Sequence, residues 1–219
     1  MIGIIDIGNT LIHAAIGKGF EIKESLFTNK IKELKGFFEN IKDILIISVR
    51  PSVENDIKEQ LGKRNYIDFP LNLLNYNYIG TPGEDRLANG LAVSYFYKIP
   101  SIVIDAGSAI TIDFFDKGPS FRGGAILSGL RWYLDSLNRA ELINIEDIKH
   151  IEKPGNSTRE SILFGLSLYV EGIKNQVVKF KQPVVVTGGN GVYFMKKGWN
   201  YDPLLTLKGG IVAYNTLRR

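Results

Sequence analysis

Two short segments of this chain carry an acid, a glycine and a small polar residue in the same order at the end of an apolar run. They are Asp6-Ile7-Gly8-Asn9-Thr10 and Asp105-Ala106-Gly107-Ser108. Such a loop suits a phosphate: the glycine lets backbone amides approach, and the Asn, Thr or Ser side chain adds hydrogen bonds. The Asp can hold a cation, or a cation's water, beside the phosphates. Thr187-Gly188-Gly189 is a third glycine turn, suited to close approach of a nucleoside. Asp85, followed by Arg86, adds a carboxylate that an adjacent cation keeps ionised and able to accept a proton. Each feature alone has a plainer reading. A lone Asp-x-Gly is a hairpin turn, and Asp85–Arg86 is a salt bridge or an acidic residue in the first turn of a helix. Three such loops at strand ends point instead to a polyphosphate gripped from two sides.

The elements that must position these residues follow from hydrophobic patterning. Ile2 to Ile7 reads as a strand, Leu11 to Ile16 as a second and Phe20 to Leu26 as a third, with glycine turns between them. Ile31, Leu34, Phe38 and Ile41 recur at helical spacing, Ile44 to Val49 is a buried strand, and Pro51 opens a helix closed by Gly62. Tyr66 to Phe69 is a short strand, residues 74–86 are a polar loop, and a helix is expected from Arg86 to Tyr97. The pattern then restarts: strands over Ser101 to Asp105, Ile110 to Phe115 and near Phe121, a helix from Thr158 to Phe180, a strand at Val184 to Val186, and a last helix from Gly209 to Leu217. Asp6 and Asp105 lie 99 residues apart, nearly half of a 219-residue chain, so a duplication is expected. The reading is α/β, with domains over 1–98 and 99–219 facing each other across a central cleft.

Composition narrows the chemistry. Hydrophobic residues make up 44% and charged residues 23%, which excludes a disordered chain. No Cys is present, which removes disulfides, thiolate metal sites and a Cys nucleophile, and two His cannot furnish a zinc site or a His-based triad. Neither GxxxxGK[ST] nor H-E-x-x-H occurs, so His13 and His150 read as a strand and a surface residue. The net charge of +4 is scattered, with Lys30, Lys32 and Lys35 sharing a segment with Glu33 and Glu39, so no nucleic-acid partner is expected. No apolar run is long enough to span a membrane, and MIGIIDIG has no basic stretch before it, so a soluble, cytoplasmic protein is expected.

The two Asp-x-Gly loops resemble the first and second phosphate loops of the acetate and sugar kinase, heat-shock chaperone and actin superfamily. Within it the chain is similar to the type III pantothenate kinases. Their Gly-x-Asp-Arg motif stands here as Gly83-Glu84-Asp85-Arg86, with Asn89 one turn on. Gly123-Gly124-Ala125-Ile126, Thr158 before a helix, and Thr187-Gly188-Gly189 complete the pattern from residue 3 to the last helix. Ser108 stands where Thr is usual, and Ser128 where Pro is common. The resemblance implies two duplicated ribonuclease H-like (actin-like ATPase) domains, and phosphorylation of pantothenate by ATP with Mg2+, the first step toward coenzyme A. It implies that Asp6, Ile7, Gly8, Asn9, Thr10, Leu11, Ile12, His13 and Ser108 bind ATP. Asp85 would be the general base, and Tyr76 (or its neighbour Tyr78), Gly83, Glu84, Asp85 and Arg86 would line the substrate. Asp105 would ligate a monovalent cation, potassium or ammonium, and Thr158 would reach substrate across a homodimer interface. The alternative is a non-catalytic homologue of the same superfold, either regulatory and accessory-factor-like or a scaffold. Retention of Asp85, Arg86, Asp105 and both loops weighs against it.

Overall fold

Six consecutive buried residues make β1 (Ile2–Ile7), and their near-continuous isoleucine content reflects a strand covered on both faces. In the computed structural model, which describes residues 1–118, 120–138, 145 and 147–218, β1 is the centre of a five-stranded sheet. β2 (Ile12–Lys18) pairs with it antiparallel, and β3 (Glu21–Thr28) pairs antiparallel with β2. β4 (Asp43–Ser48) lies parallel on the other side of β1, followed by β5 (Asn65–Asp68), giving the order β3-β2-β1-β4-β5. The crossovers are α1 (Ile31–Phe37) and α2 (Pro51–Leu61). α2 starts on proline at its first turn and stops at Gly62, whose φ of 71° only glycine adopts readily. Leu34, Phe38, Ile57 and Leu61 pack with the isoleucines of β1, β2 and β4 in one core.

The 74–86 segment contains a two-residue strand, β6 (Asn75–Tyr76), and α3 (Glu84–Phe96) begins two residues before the expected Arg86. That earlier start places Asp85 inside the first helical turn. Leu87 and Leu91 are buried, whereas Tyr95 is exposed and stacks on Phe20.

β7 (Ser101–Ala106), β8 (Ala109–Asp116) and the long β9 (Ser120–Ser128) are neighbours, in that order, in a second sheet. β10 (Val184–Thr187) is parallel to β7, β11 (Asn200–Tyr201) is parallel to β10, and β6 is parallel to β9, giving the order β11-β10-β7-β8-β9-β6. α4 (Leu130–Asn138) and α5 (Thr158–Val178) follow. Ile102, Ile104, Leu130, Leu163, Leu166 and Val186 belong to this second core. The final helix, α6 (Leu205–Leu217), begins four residues before the expected Gly209.

The chain divides into two units: Met1–Ile99 with Phe115–Gly123 and Leu204–Arg219, and Pro100–Phe114 with Gly124–Pro203. The first break falls beside the 98/99 boundary read from sequence, and α6 is counted with the first unit. There α6 crosses α3 so closely that a Cβ on Gly209 would overlap the Ala88 carbonyl oxygen. Beside that crossing the Thr206 hydroxyl donates to the Asn89 side-chain oxygen at 2.9 Å, both residues being buried. Among the described residues no helix is long and apolar enough to cross a membrane.

Candidate active site

In the first unit the site is built at the C-terminal ends of two adjacent parallel strands, where such sheets gather their functional loops. Asp6, one residue before the end of β1, is almost fully buried, and Gly8 N–H donates to the Leu11 carbonyl at 3.2 Å, closing the turn that carries exposed Asn9 and Thr10. Beyond the turn, Ile12 returns to the core while Leu11 stays exposed. His13 sits opposite Asp6 in the β1–β2 ladder, its Nδ1 3.5 Å from the Asp6 carboxylate and its ring against Phe27.

β4 delivers a second group to the same edge. Ser48 is in register with Ile7, Val49 N–H reaches the Ile7 carbonyl at 3.5 Å, and the Arg50 Nη1 donates to the Asn9 carbonyl at 3.0 Å. Arg50 was not among the residues singled out from sequence. The available signal was topological, since a parallel neighbour of β1 must end beside the loop that follows β1.

The Gly-x-Asp-Arg motif forms the N-terminus of α3. The Asp85 carboxylate folds back over this turn, with Oδ1 accepting the Arg86 amide at 2.8 Å. A Cβ on Gly83 would lie 2.5 Å from that same oxygen, so only glycine leaves the carboxylate its place. Arg86 is 5% exposed. Its guanidinium lies 4.9 Å from the centre of the Phe121 ring and 5.8 Å from that of Tyr78, a cation held on aromatic faces. The pairing of β6 with β9 brings Tyr76 opposite Phe121. Of the two tyrosines left open by sequence, Tyr78 is therefore the one against Arg86, and Tyr76 is half-buried in the strand pair. Phe121 had no sequence signal, because its place depends on a pairing about 45 residues away in the chain.

Glu84 faces away from this cluster. Its Oε2 accepts the Ser48 amide at 2.7 Å, and burial pushes its carboxyl up to about 7, opposed by that hydrogen bond and reinforced by Glu54, Asp68 and Asp85.

The second unit repeats the loop. Gly107 N–H donates to the Ala109 carbonyl at 3.0 Å, a turn one residue tighter than that at Gly8. Thr187 is in register with Asp105, and the Asn190 amide donates to the Ala106 carbonyl at 2.9 Å. Gly188, at φ 84°, passes so near that a Cβ would lie 2.6 Å from Asp105 Oδ1. The Thr-Gly-Gly turn is thus laid directly on the second loop. Gly129 is pressed against Ser108 in the same way, since its Cβ would overlap the Ser108 carbonyl oxygen. Gly124 explains the glycine pair of β9, where a Cβ would overlap the Ile112 carbonyl of the neighbouring strand. Thr158 is exposed as the first residue of α5, behind the Ser157 cap that accepts the Glu160 amide.

Among the described residues no cluster of three acidic or His side chains could hold a metal. The half-buried Asp105 carboxylate is a hard oxygen ligand, the type of donor that suits a hard cation.

The chain is similar in sequence and in fold to known proteins. The family model described as type III pantothenate kinase matches residues 4–179. A protein of that name from Aquifex aeolicus is 35% identical over 217 residues, covering 94% of this chain and 93% of its own. A solved structure from Campylobacter jejuni, titled as a Baf family transcriptional activator, superposes with a TM-score of 0.67 at 26% identity, covering 98% of this chain and 99% of that one. Component A of (R)-2-hydroxyglutaryl-CoA dehydratase from Acidaminococcus fermentans shares the fold, with a TM-score of 0.58 at 13% identity over the full length of both chains. The architecture is that of duplicated ribonuclease H-like domains.

Proposed function

This chain belongs to the type III pantothenate kinase family and phosphorylates pantothenate with ATP; on that premise we propose that Asp85 is its general base. The observation that carries the reading is the first turn of α3. There a glycine makes room for a carboxylate, and the adjacent Arg86 is buried on two aromatic rings. Asp85 takes the proton from the primary hydroxyl of pantothenate as that oxygen attacks the γ-phosphorus of ATP and ADP departs. Phosphoryl transfer depends on positioning and charge stabilisation more than on covalent catalysis, so a site without Cys suffices. Asp6 to His13 and Ser108 hold ATP, and Tyr76, Gly83, Asp85, Arg86 and Thr158 serve the substrate. Asp105 would hold a monovalent cation, which would offset the negative charge assembled there, and Mg2+ would accompany ATP. The enzyme acts in the cytoplasm. A regulatory role without catalysis is not favoured, because Asp85, Arg86 and Asp105 are all retained.

Homodimerisation is supported by the outer face of the second unit. Leu168 of α5 is 58% exposed and, with Ile112, Ala125, Leu127, Tyr169 and Ile173, lines an apolar depression. A helix that only covered a sheet would keep one apolar stripe, and α5 has more.

The test is ATP-dependent phosphorylation of pantothenate by purified protein, wild type against Asp85→Asn. The amide keeps the shape but cannot take the proton, so kcat is expected to fall by about 10²–10⁴ with the fold intact. A variant within a few-fold of wild type would reduce Asp85 to a helix-end carboxylate.

A further inference from the structure

The resemblance places Glu84 among the residues that line the substrate, yet its side chain accepts a backbone amide instead. The carboxylate reaches from the first turn of α3 to the end of β4, accepting the Ser48 N–H at 2.7 Å. Ser48 is also tied to the first phosphate loop. It is paired in register with Ile7, its hydroxyl accepts the Arg50 amide at 3.1 Å, and Arg50 in turn holds the Asn9 carbonyl. α3 has no side-chain cap of its own. The Glu84–Ser48 bond is therefore a direct link between the turn that carries Asp85 and the strand edge that carries Asn9 and Thr10.

We propose that Glu84 is a positioning residue, whose carboxylate clamps the N-terminus of α3 to the end of β4 and so sets Asp85 in register with the first phosphate loop. The proposal rests on the reading of Asp85 as the base. The surroundings make a merely structural carboxylate hard to account for. Glu54 of α2, Asp68 at the end of β5 and Asp85 act on it with like charge, and Lys58 is paired with Glu54 and Asp68. An acceptor of this reach without charge, glutamine, would avoid the cost. A charged acceptor forms the stronger hydrogen bond, which is what a clamp requires.

Two consequences follow for pH. The carboxyl is raised from 4.5 to about 7, so the native state holds this proton more tightly than the unfolded chain. Its contribution to stability is therefore full below about 4.5 and is lost as pH rises through about 7. The clamp itself behaves oppositely, tightening as Glu84 ionises.

The experiment compares wild type, Glu84→Ala and Glu84→Gln across pH 5.5–9. It measures kcat, both KM values, the melting temperature and the Ser48 amide resonance. Removing the acceptor should lower kcat about 10- to 100-fold with both KM values little changed, since small misplacement of a reacting group costs this much. Glutamine should rescue most of that loss but lack the wild-type rise in kcat near pH 7. It should also gain melting temperature over wild type only toward alkaline pH. The Ser48 amide should shift with a midpoint near 7 in wild type and stay flat in Glu84→Gln. A Glu84→Ala enzyme that keeps kcat but loses pantothenate affinity would make Glu84 a substrate contact and overturn the clamp. So would folded Glu84→Ala protein with unchanged kinetics, or a wild-type Ser48 resonance that ignores pH. Should Asp85→Asn prove active, the base reading fails, while the amide titration still judges the Glu84–Ser48 contact on its own.

Discussion

The carboxylate of Asp105 is hemmed in by backbone: Gly188 passes beside it, and the Asn190 amide fastens the following turn to Ala106. On the proposed reading this hard anionic oxygen lies beside ATP and an anionic substrate, where a cation would offset the charge. Activity is expected in potassium or ammonium and little of it in sodium alone, with the preference lost in Asp105→Asn. Equal initial rates of wild type in potassium and sodium would remove the assignment. At this scale the two turns were legible from residue types, because Asp-x-Gly after an apolar strand marks a turn. The partners of those loops were not. Arg50, Phe121 and Ser48 reach the site through strand pairings between segments distant in the chain, and periodicity carries no such information. Glu84 shows the same limit from the other side. Its neighbours in the motif place it near substrate, whereas its carboxylate is bonded to Ser48.

Elements were legible wherever a single period and a clear stop coincide. β1 matches its expected bounds, and α2 runs from its proline to the glycine that ends it. The departures have separate causes. α3 starts early because Gly83, extended at φ −56° and ψ 141°, already serves as the cap position for two acidic residues in the first turn. α6 starts early because Gly209 and Gly210 look like a helix boundary but are contact points inside the helix. Two-residue strands such as β6 and β11 have no pattern of their own to read. The glycine argument is testable by contrast. Gly209→Ala places a methyl into the Ala88 carbonyl, an overpacking worth about 2–3 kcal/mol, or a fall of about 4–12 °C in melting temperature. Gly36→Ala, exposed near the end of α1 with nothing within reach of the new methyl, should gain about 0.4–1 kcal/mol. A Gly209→Ala protein as stable as wild type would show that α3 and α6 can separate without loss.

For the molecule as a whole, the duplication was visible in the spacing of Asp6 and Asp105, but the return of the last helix to the first unit was not. α6 is apolar on most of its surface, a property that says it is buried without saying by what. α5 raises the corresponding question outside the chain. It buries Ile162, Leu163, Leu166, Val170, Ile173 and Val177 in its own unit and still leaves Leu168 exposed beside an apolar depression, with Thr158 exposed at its start. If a second copy covers that face and Thr158 serves the partner's substrate, the lesions of two inactive chains should complement. Asp85→Asn and Thr158→Val proteins, each inactive alone, are mixed under conditions where labelled subunits are seen to exchange. In a shared-site dimer, each heterodimer carries one site with both lesions and one with neither. Random exchange of equal amounts makes half the dimers heterodimers, so activity should return to about a quarter of the wild-type value per chain. If exchange proceeds and no activity returns, Thr158 acts within its own subunit or away from the substrate, and the apolar face of α5 must be explained without a shared site.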